Sequence, residues 1–202
     1  MKTDGEKKIR AFLAIDPPEH LRSRLEAAQK TLKRELDGAI RWVSGRSIHL
    51  TLKFFGNIEK REIDTISQAL SGEIKSVAPL NLTIKSIGVF PHLRRPRVLW
   101  LGTGGDAERL AQLALNVGKT LERSGFPREE RPFAPHWTLA RINELSDMSQ
   151  LSRLLDKYRD SIWGEFTAEE LILFQSELTP QGAIYTPLIT YKFGVIDGKQ
   201  NN

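Results

Sequence analysis

No cysteine occurs in the 202 residues, which excludes disulfides, thiolate metal sites and a cysteine nucleophile. Its absence is compatible with a reducing compartment. Residues 1–8 are charged and no apolar stretch follows them, so no secretory signal is read there. No apolar run approaches the length of a membrane span, and a soluble, cytoplasmic chain is expected. A Gly-x-Ser-x-Gly elbow is missing, which argues against a serine hydrolase. Gly102-Thr103-Gly104-Gly105 lacks the Lys-Ser/Thr that follows in a phosphate-binding loop, so it reads as a strand end. Histidine is scarce, at four residues.

What is present is an ordinary globular composition with a basic balance. Hydrophobic residues make up 40%, enough for a proper interior, and the net charge is +5. A basic excess favours polyanionic partners without identifying one. Charge on helices, as in Arg22-Ser23-Arg24-Leu25-Glu26, reads as a solvated face. Arg94, Arg95, Arg97, Arg128 and Arg131 stand apart because they lie in or beside Pro-rich turns.

The hydrophobic period alternates between strand-like and helical. Strands are expected over 8–15, 40–43, 47–55, 80–90, 96–103, 133–142, 163–178 and 183–193. Helices are expected from Asp16, as N-cap, to about Leu36, and over 60–75, 106–123 and 147–160. Several strands are joined by short turns, so the fold class is α+β with mainly antiparallel sheets.

Two of the four histidines share one local pattern: His49-Leu50-Thr51-Leu52 and His136-Trp137-Thr138-Leu139. On a strand, residues two apart point the same way. His49, Thr51, Lys53 and Phe55 therefore share one face of the first strand, and His136, Thr138 and Ala140 one face of the second. Imidazole titrates near neutrality, so one histidine can be neutral while another is protonated. Two such strands facing a common cleft supply a general acid, a general base and two hydroxyl donors, a set suited to opening a phosphodiester without a metal. Two histidines with no nearby carboxylate or thiolate are too few ligands for a typical zinc site. The motif strands are 136 − 49 = 87 residues apart, which suits two similar lobes with one motif each.

With these motifs the chain resembles the two-histidine (2H) phosphoesterases, and within them the RNA 2′,3′-cyclic phosphodiesterase branch, also called 2′-5′ RNA ligases. The resemblance extends over residues 10–18, 41–43, 49–56, 96–102, 131–141 and 176–185. It implies one bilobal domain over 1–202, with two pseudo-symmetric lobes around a central cleft and flexible tails at 1–7 and 197–202. It implies His49 and His136 as the catalytic pair, with His136 as base and His49 as acid, and Thr51 and Thr138 as phosphate ligands. Lys53, Phe55, Arg131 and Arg141 are further substrate-binding candidates. The implied substrate is an RNA end bearing a 2′,3′-cyclic phosphate, opened to a 2′-phosphate. The implied enzyme uses no metal or cofactor and can run in reverse as a ligase; no association motif is visible in the sequence, so a monomer is expected. Many relatives carry an arginine two residues before the second histidine; here that position is Ala134, leaving Arg131, Arg141 or the 94–97 group to replace it. Arg141 has the wrong strand parity to share a face with His136. Two other readings fit the same residues: an RNA-binding module of this fold with little turnover, and a phosphodiesterase of small cyclic nucleotides.

Overall fold

The computed structural model describes residues 8–180 and 182–194. In chain order its elements are β1 (Ile9–Ile15), α1 (Glu19–Lys33), β2 (Gly38–Trp42), a 3₁₀ turn (Gly45–Ser47), β3 (Leu50–Ile58), α2 (Glu62–Lys75), β4 (Leu80–Phe90), β5 (Val98–Gly105), α3 (Ala107–Arg123), β6 (His136–Leu145), α4 (Met148–Lys157), β7 (Ile162–Ala168), β8 (Glu170–Thr179) and β9 (Gly182–Lys192). The strands form one curled, antiparallel sheet in the order β7-β4-β5-β6-β3-β1-β8-β9, with β2 alongside β6. The expected α+β class and its two pseudo-symmetric lobes are what the sheet order displays. That order reads the same from both ends when β6 is matched with β3, β5 with β1, β4 with β8 and β7 with β9. Along the chain, β1-α1-β3-α2-β4 and β5-α3-β6-α4-β8 then trace the same path.

The lobes meet through β3 and β6, whose ladder registers one pair, Leu50 opposite Trp137. Both side chains are fully buried in the core between sheet and helices. The Trp137 indole donates to Thr103 Oγ1 at 3.1 Å, which satisfies its one polar atom. The opposite, concave face of the sheet carries a separate small cluster: Phe12, Ala14, Ile172 and Phe174, with Tyr185 against it. β1 is apolar on both faces for this reason. Leu13 and Ile15 serve the main core, while Phe12 and Ala14 line the concave side.

Several boundaries differ from expectation for identifiable reasons. The stretch expected as one strand at 163–178 is two, β7 and β8, broken at Glu169; β7 edges one lobe and β8 pairs with β1 in the other. The second motif strand starts at His136 rather than 133. Pro132 and Pro135 have no N–H for a ladder. Asp16 does not cap α1, whose first turn has no side-chain cap; its carboxylate instead binds Arg22. The expected tails lie outside the described residues.

Trp137→Ala removes the largest side chain at the join between the lobes. It should cost about 3–5 kcal/mol, read as a lowered urea midpoint with both lobes unfolding together.

Candidate active site

The register that pairs Leu50 with Trp137 places the two motifs in an interlocked arrangement. One step to either side, His49 stands across from Thr138 and Thr51 across from His136. Leu50 and Trp137 point into the core, so by alternation all four polar residues point to the concave face. Neither threonine hydroxyl hydrogen-bonds to another described residue, and both side chains are half-buried.

Each imidazole is held by the same device. His49 Nδ1 lies 2.9 Å from the Ser47 carbonyl oxygen, and His136 Nδ1 lies 2.7 Å from the Ala134 carbonyl oxygen. A carbonyl only accepts, so Nδ1 carries the proton in both rings. In the neutral form Nε2 keeps a free lone pair. At Ala134 it is therefore the backbone that acts on His136.

Aromatic rings flank both histidines. His49 packs on Phe12 at 4.6 Å and meets Tyr185 edge-on at 5.0 Å. His136 meets Phe90 edge-on at 4.9 Å. Phe90 in turn packs on Trp100, whose ring lies so closely over Gly88 that a Cβ there would run into it. Burial is the main cause that lowers both imidazole pKa values, opposed by the carbonyl hydrogen bonds. His49 falls to about 4, with smaller contributions from the charges of His136 and Arg22. His136 is also lowered, by burial and then by Arg141.

Beyond each threonine the strand is bulged, and this reassigns the expected faces. On β3, Ala14 faces Thr51 and Leu13 faces Lys53, so Leu52 is an extra residue. Lys53 thereby turns to the helix side with Leu13. It is 5% exposed and its ammonium donates to the Pro127 carbonyl at 2.6 Å, with Glu129 at 3.1 Å. A second bulge at Phe55 puts that ring against Phe126 in the main core, at 5.4 Å. The expectation that Lys53 and Phe55 share a face with His49 is thus corrected. Phe54 takes the concave face, 5.7 Å from Phe12 and half exposed.

On β6 the same irregularity falls at Leu139, since Trp100 faces Thr138 and Leu99 faces Ala140. The Leu139 carbonyl leaves the ladder and accepts from Val43 N at 2.9 Å and from buried Gln29 Nε2 at 3.0 Å. This bulge reverses the parity of everything after it. Arg141 therefore emerges on the concave face, in the position on β6 that Phe54 holds on β3. Arg131 is exposed on the loop before β6 and makes no hydrogen bond or ion pair with a described residue. Of the 94–97 group, Arg97 donates to the Asn143 carbonyl at 3.2 Å.

Sequence reading missed Arg22, taken as part of a solvated face. Its guanidinium ties Asp16 and reaches the Gly45 and Arg46 carbonyls at 3.4 and 3.3 Å, bracing the turn that supplies the Ser47 carbonyl to His49. Ser47 Oγ braces the other side by donating to the Ala183 carbonyl at 3.3 Å. Residues i and i+6 across a helix start carry no periodic signal for such a link. Among the described residues no group of three or more His, Cys, Asp or Glu is gathered to hold a metal ion, and no helix is long and apolar enough to cross a membrane.

A curled antiparallel sheet with a His-x-Thr pair from each lobe on one concave face defines a two-histidine phosphoesterase. The chain matches the LigT like Phosphoesterase family over residues 15–100 and 103–185, and it belongs to that family. It is 33% identical over 185 residues to the RNA 2′,3′-cyclic phosphodiesterase of Methanothermobacter thermautotrophicus, covering 92% of this chain and 99% of that one. Its likeness to the Aquifex aeolicus protein of the same name is 32% over 189 residues, covering 93% and 99%. Among solved structures, a protein of Thermus thermophilus superposes with a TM-score of 0.75 at 26% identity, covering 91% of this chain and 97% of that one. E. coli LigT complexed with 3′-AMP gives 0.74 at 26%, covering 93% and 99%.

The depressed pKa of His49 fixes a pH dependence. Above about 6.5 the ring is neutral both folded and unfolded. Between 6.5 and 4 the unfolded chain binds a proton that the folded chain refuses, so stability is lost as the pH drops through that window, by on the order of 3 kcal/mol. Titration of His49 followed by NMR should give a midpoint about 4, and His49→Gln should flatten the loss of stability between pH 6.5 and 4.

Proposed function

We propose that this chain is an RNA 2′,3′-cyclic phosphodiesterase acting through His49 and His136. The observation that carries the reading is the interlocked His/Thr set, each imidazole with Nδ1 held by a carbonyl and Nε2 left for the substrate. The names of the relatives and the 3′-AMP complex of E. coli LigT support a ribonucleotide end as substrate.

In the proposed reaction one neutral imidazole takes a proton from water through Nε2. The water oxygen forms a bond to phosphorus while the bond from phosphorus to the ribose 3′-oxygen breaks. The second imidazole, protonated, gives its Nε2 proton to that oxygen, leaving a 2′-phosphate and a 3′-hydroxyl. Thr51 and Thr138 donate to the non-bridging oxygens, and Arg141 compensates charge from β6. Burial supports His49 as the neutral partner in the empty cleft and His136 as the proton donor, since His49 is the harder to protonate. This reverses the order that the family resemblance implies. Acid, base and phosphate donors all come from the chain, so the reaction is written without a metal or cofactor. Run backwards, with a 5′-hydroxyl in place of water, it becomes 2′-5′ ligation. We place this activity in the cytoplasm, in a monomer.

A short RNA ending in a 2′,3′-cyclic phosphate, incubated with the protein in EDTA, should yield the 2′-phosphate isomer. His49→Ala and His136→Ala should each lose about 10²–10⁴ in rate. Thr51→Val and Thr138→Val should each lose about 10–10², the worth of a hydrogen bond to a charged oxygen. No opening by the parent, or opening that survives loss of either histidine, would sink the assignment and leave a binding module of this fold.

A further inference from the structure

The concave face continues past the histidines and Arg141 to a residue that the ring opening does not use. β2 pairs with β6 so that Arg41 stands directly opposite Arg141. Trp42 and Ile40, on either side of Arg41, pair with Ala140 and Ile142 on the core side, so Arg41 points to the concave face with Arg141. Directly opposed antiparallel residues have Cβ atoms about 5 Å apart, and like charges there destabilise the pair. Nothing in the described residues relieves this: neither arginine has an ion pair or hydrogen bond, and both are exposed. A third arginine lies on this face in the other lobe. Arg10 precedes Phe12 by two residues on β1 and so shares its concave face. It too is exposed and without a partner among the described residues. Tyr185, beside His49, lies within electrostatic reach of both Arg141 and Arg10.

We propose that Arg41, with Arg141 beside it, forms a second anion subsite. It takes a phosphodiester of the RNA strand upstream of the cyclic end. The inference rests on the cyclic phosphodiesterase reading and narrows its substrate to a polynucleotide end over a free nucleoside cyclic phosphate. Three guanidiniums on one concave face, none with a partner among the described residues, are the anion-receptive half of a charge pair whose other half the described residues do not supply. An upstream phosphodiester is the anion that a strand with its terminal phosphate between His49 and His136 brings along. Guanidinium suits this task because its fork binds two phosphate oxygens at once. The pair stands on the β6 and β2 segments beyond Thr138, so a strand lying along β6 spans both subsites. Arg41 is two strands removed from β1 and touches neither histidine, so it has no part in the ring opening itself.

The test compares adenosine 2′,3′-cyclic monophosphate with a short RNA ending in a 2′,3′-cyclic phosphate, for the parent, Arg41→Gln and Arg41→Lys. Arg41→Gln should raise KM for the RNA about tenfold with kcat unchanged, leave both constants for the mononucleotide unchanged, and lower the salt slope of RNA binding by about 0.7. Arg41→Lys should recover part of the loss, since it keeps the charge and loses the fork. Equal effects on the two substrates, or none on either, would overturn the subsite. Binding of a 5′-labelled short RNA with a terminal 2′-phosphate, followed by fluorescence anisotropy, reads the subsite without turnover. If the parent opens neither substrate, the cyclic phosphodiesterase reading fails. Binding weakened by Arg41→Gln would still support the anion subsite, and binding unchanged would overturn it as well.

Discussion

One backbone pair, Leu50 against Trp137, sets the whole arrangement. Both side chains are fully buried, and a slip of one residue on either strand would turn them to the concave face and bury a histidine and a threonine in their place. The register is therefore fixed by apolar burial. Because it is antiparallel, it crosses the motifs: each histidine stands over the other motif's threonine. Neither lobe holds a complete site. In the proposed reaction a phosphate seated between the lobes meets one imidazole and one hydroxyl from each, so the approximate two-fold relation of the fold becomes an approximate two-fold relation of the donors. The local surroundings then break that equivalence. Phe12 and Tyr185 both pack on His49, whereas His136 has one aromatic ring, Phe90, against it among the described residues.

The motifs were legible in the sequence because His-x-Thr obeys the two-residue period of a strand. What lay beyond them was not, because the period breaks at Leu52 and Leu139. A bulge leaves no local signature here: Leu-Lys and Leu-Ala look like any continuing strand. Its cause is distant in sequence, and on β6 it includes Gln29 of α1, which holds the carbonyl that leaves the ladder. Reading straight through gave Lys53 and Phe55 to the cleft and denied it Arg141. The bulges exchange these, putting Phe54 and Arg141 at equivalent places five residues after each histidine. Arg22 was illegible for a related reason, since charged residues on a helix surface are usually solvated and nothing nearby in sequence marks this one as facing a turn. Elements with strong periodicity, such as α3 with Leu110, Leu113, Ala114, Val117 and Leu121 buried, were visible outright. The division of 163–178 into two strands was not, because it depends on which lobe each half joins.

The electrostatics of the concave face form a consistent whole once the missing charge is considered. Aromatic walls depress both imidazoles, so in the empty cleft the site holds two neutral rings and lacks the imidazolium that an acid requires. Nearby positive charge, from His136 and Arg22 on His49 and from Arg141 on His136, pushes the pKa values further down. A phosphodiester anion opposes these effects. It favours the protonated ring by direct attraction, and it neutralises the guanidiniums that opposed protonation. In the proposed reaction the proton donor is thus completed by the substrate, and the more easily protonated ring, His136, receives the proton first. The same reasoning explains why, among the described residues, no carboxylate pairs with Arg10, Arg41 or Arg141. An acid there would hold the guanidiniums and dilute the field that the phosphate is meant to answer, whereas the acids that brace the site, Asp16 and Glu129, are already committed to Arg22 and Lys53. A face built of buried neutral imidazoles and unpaired guanidiniums is unfavourable while empty, and that cost is recovered by binding an anion of extended form.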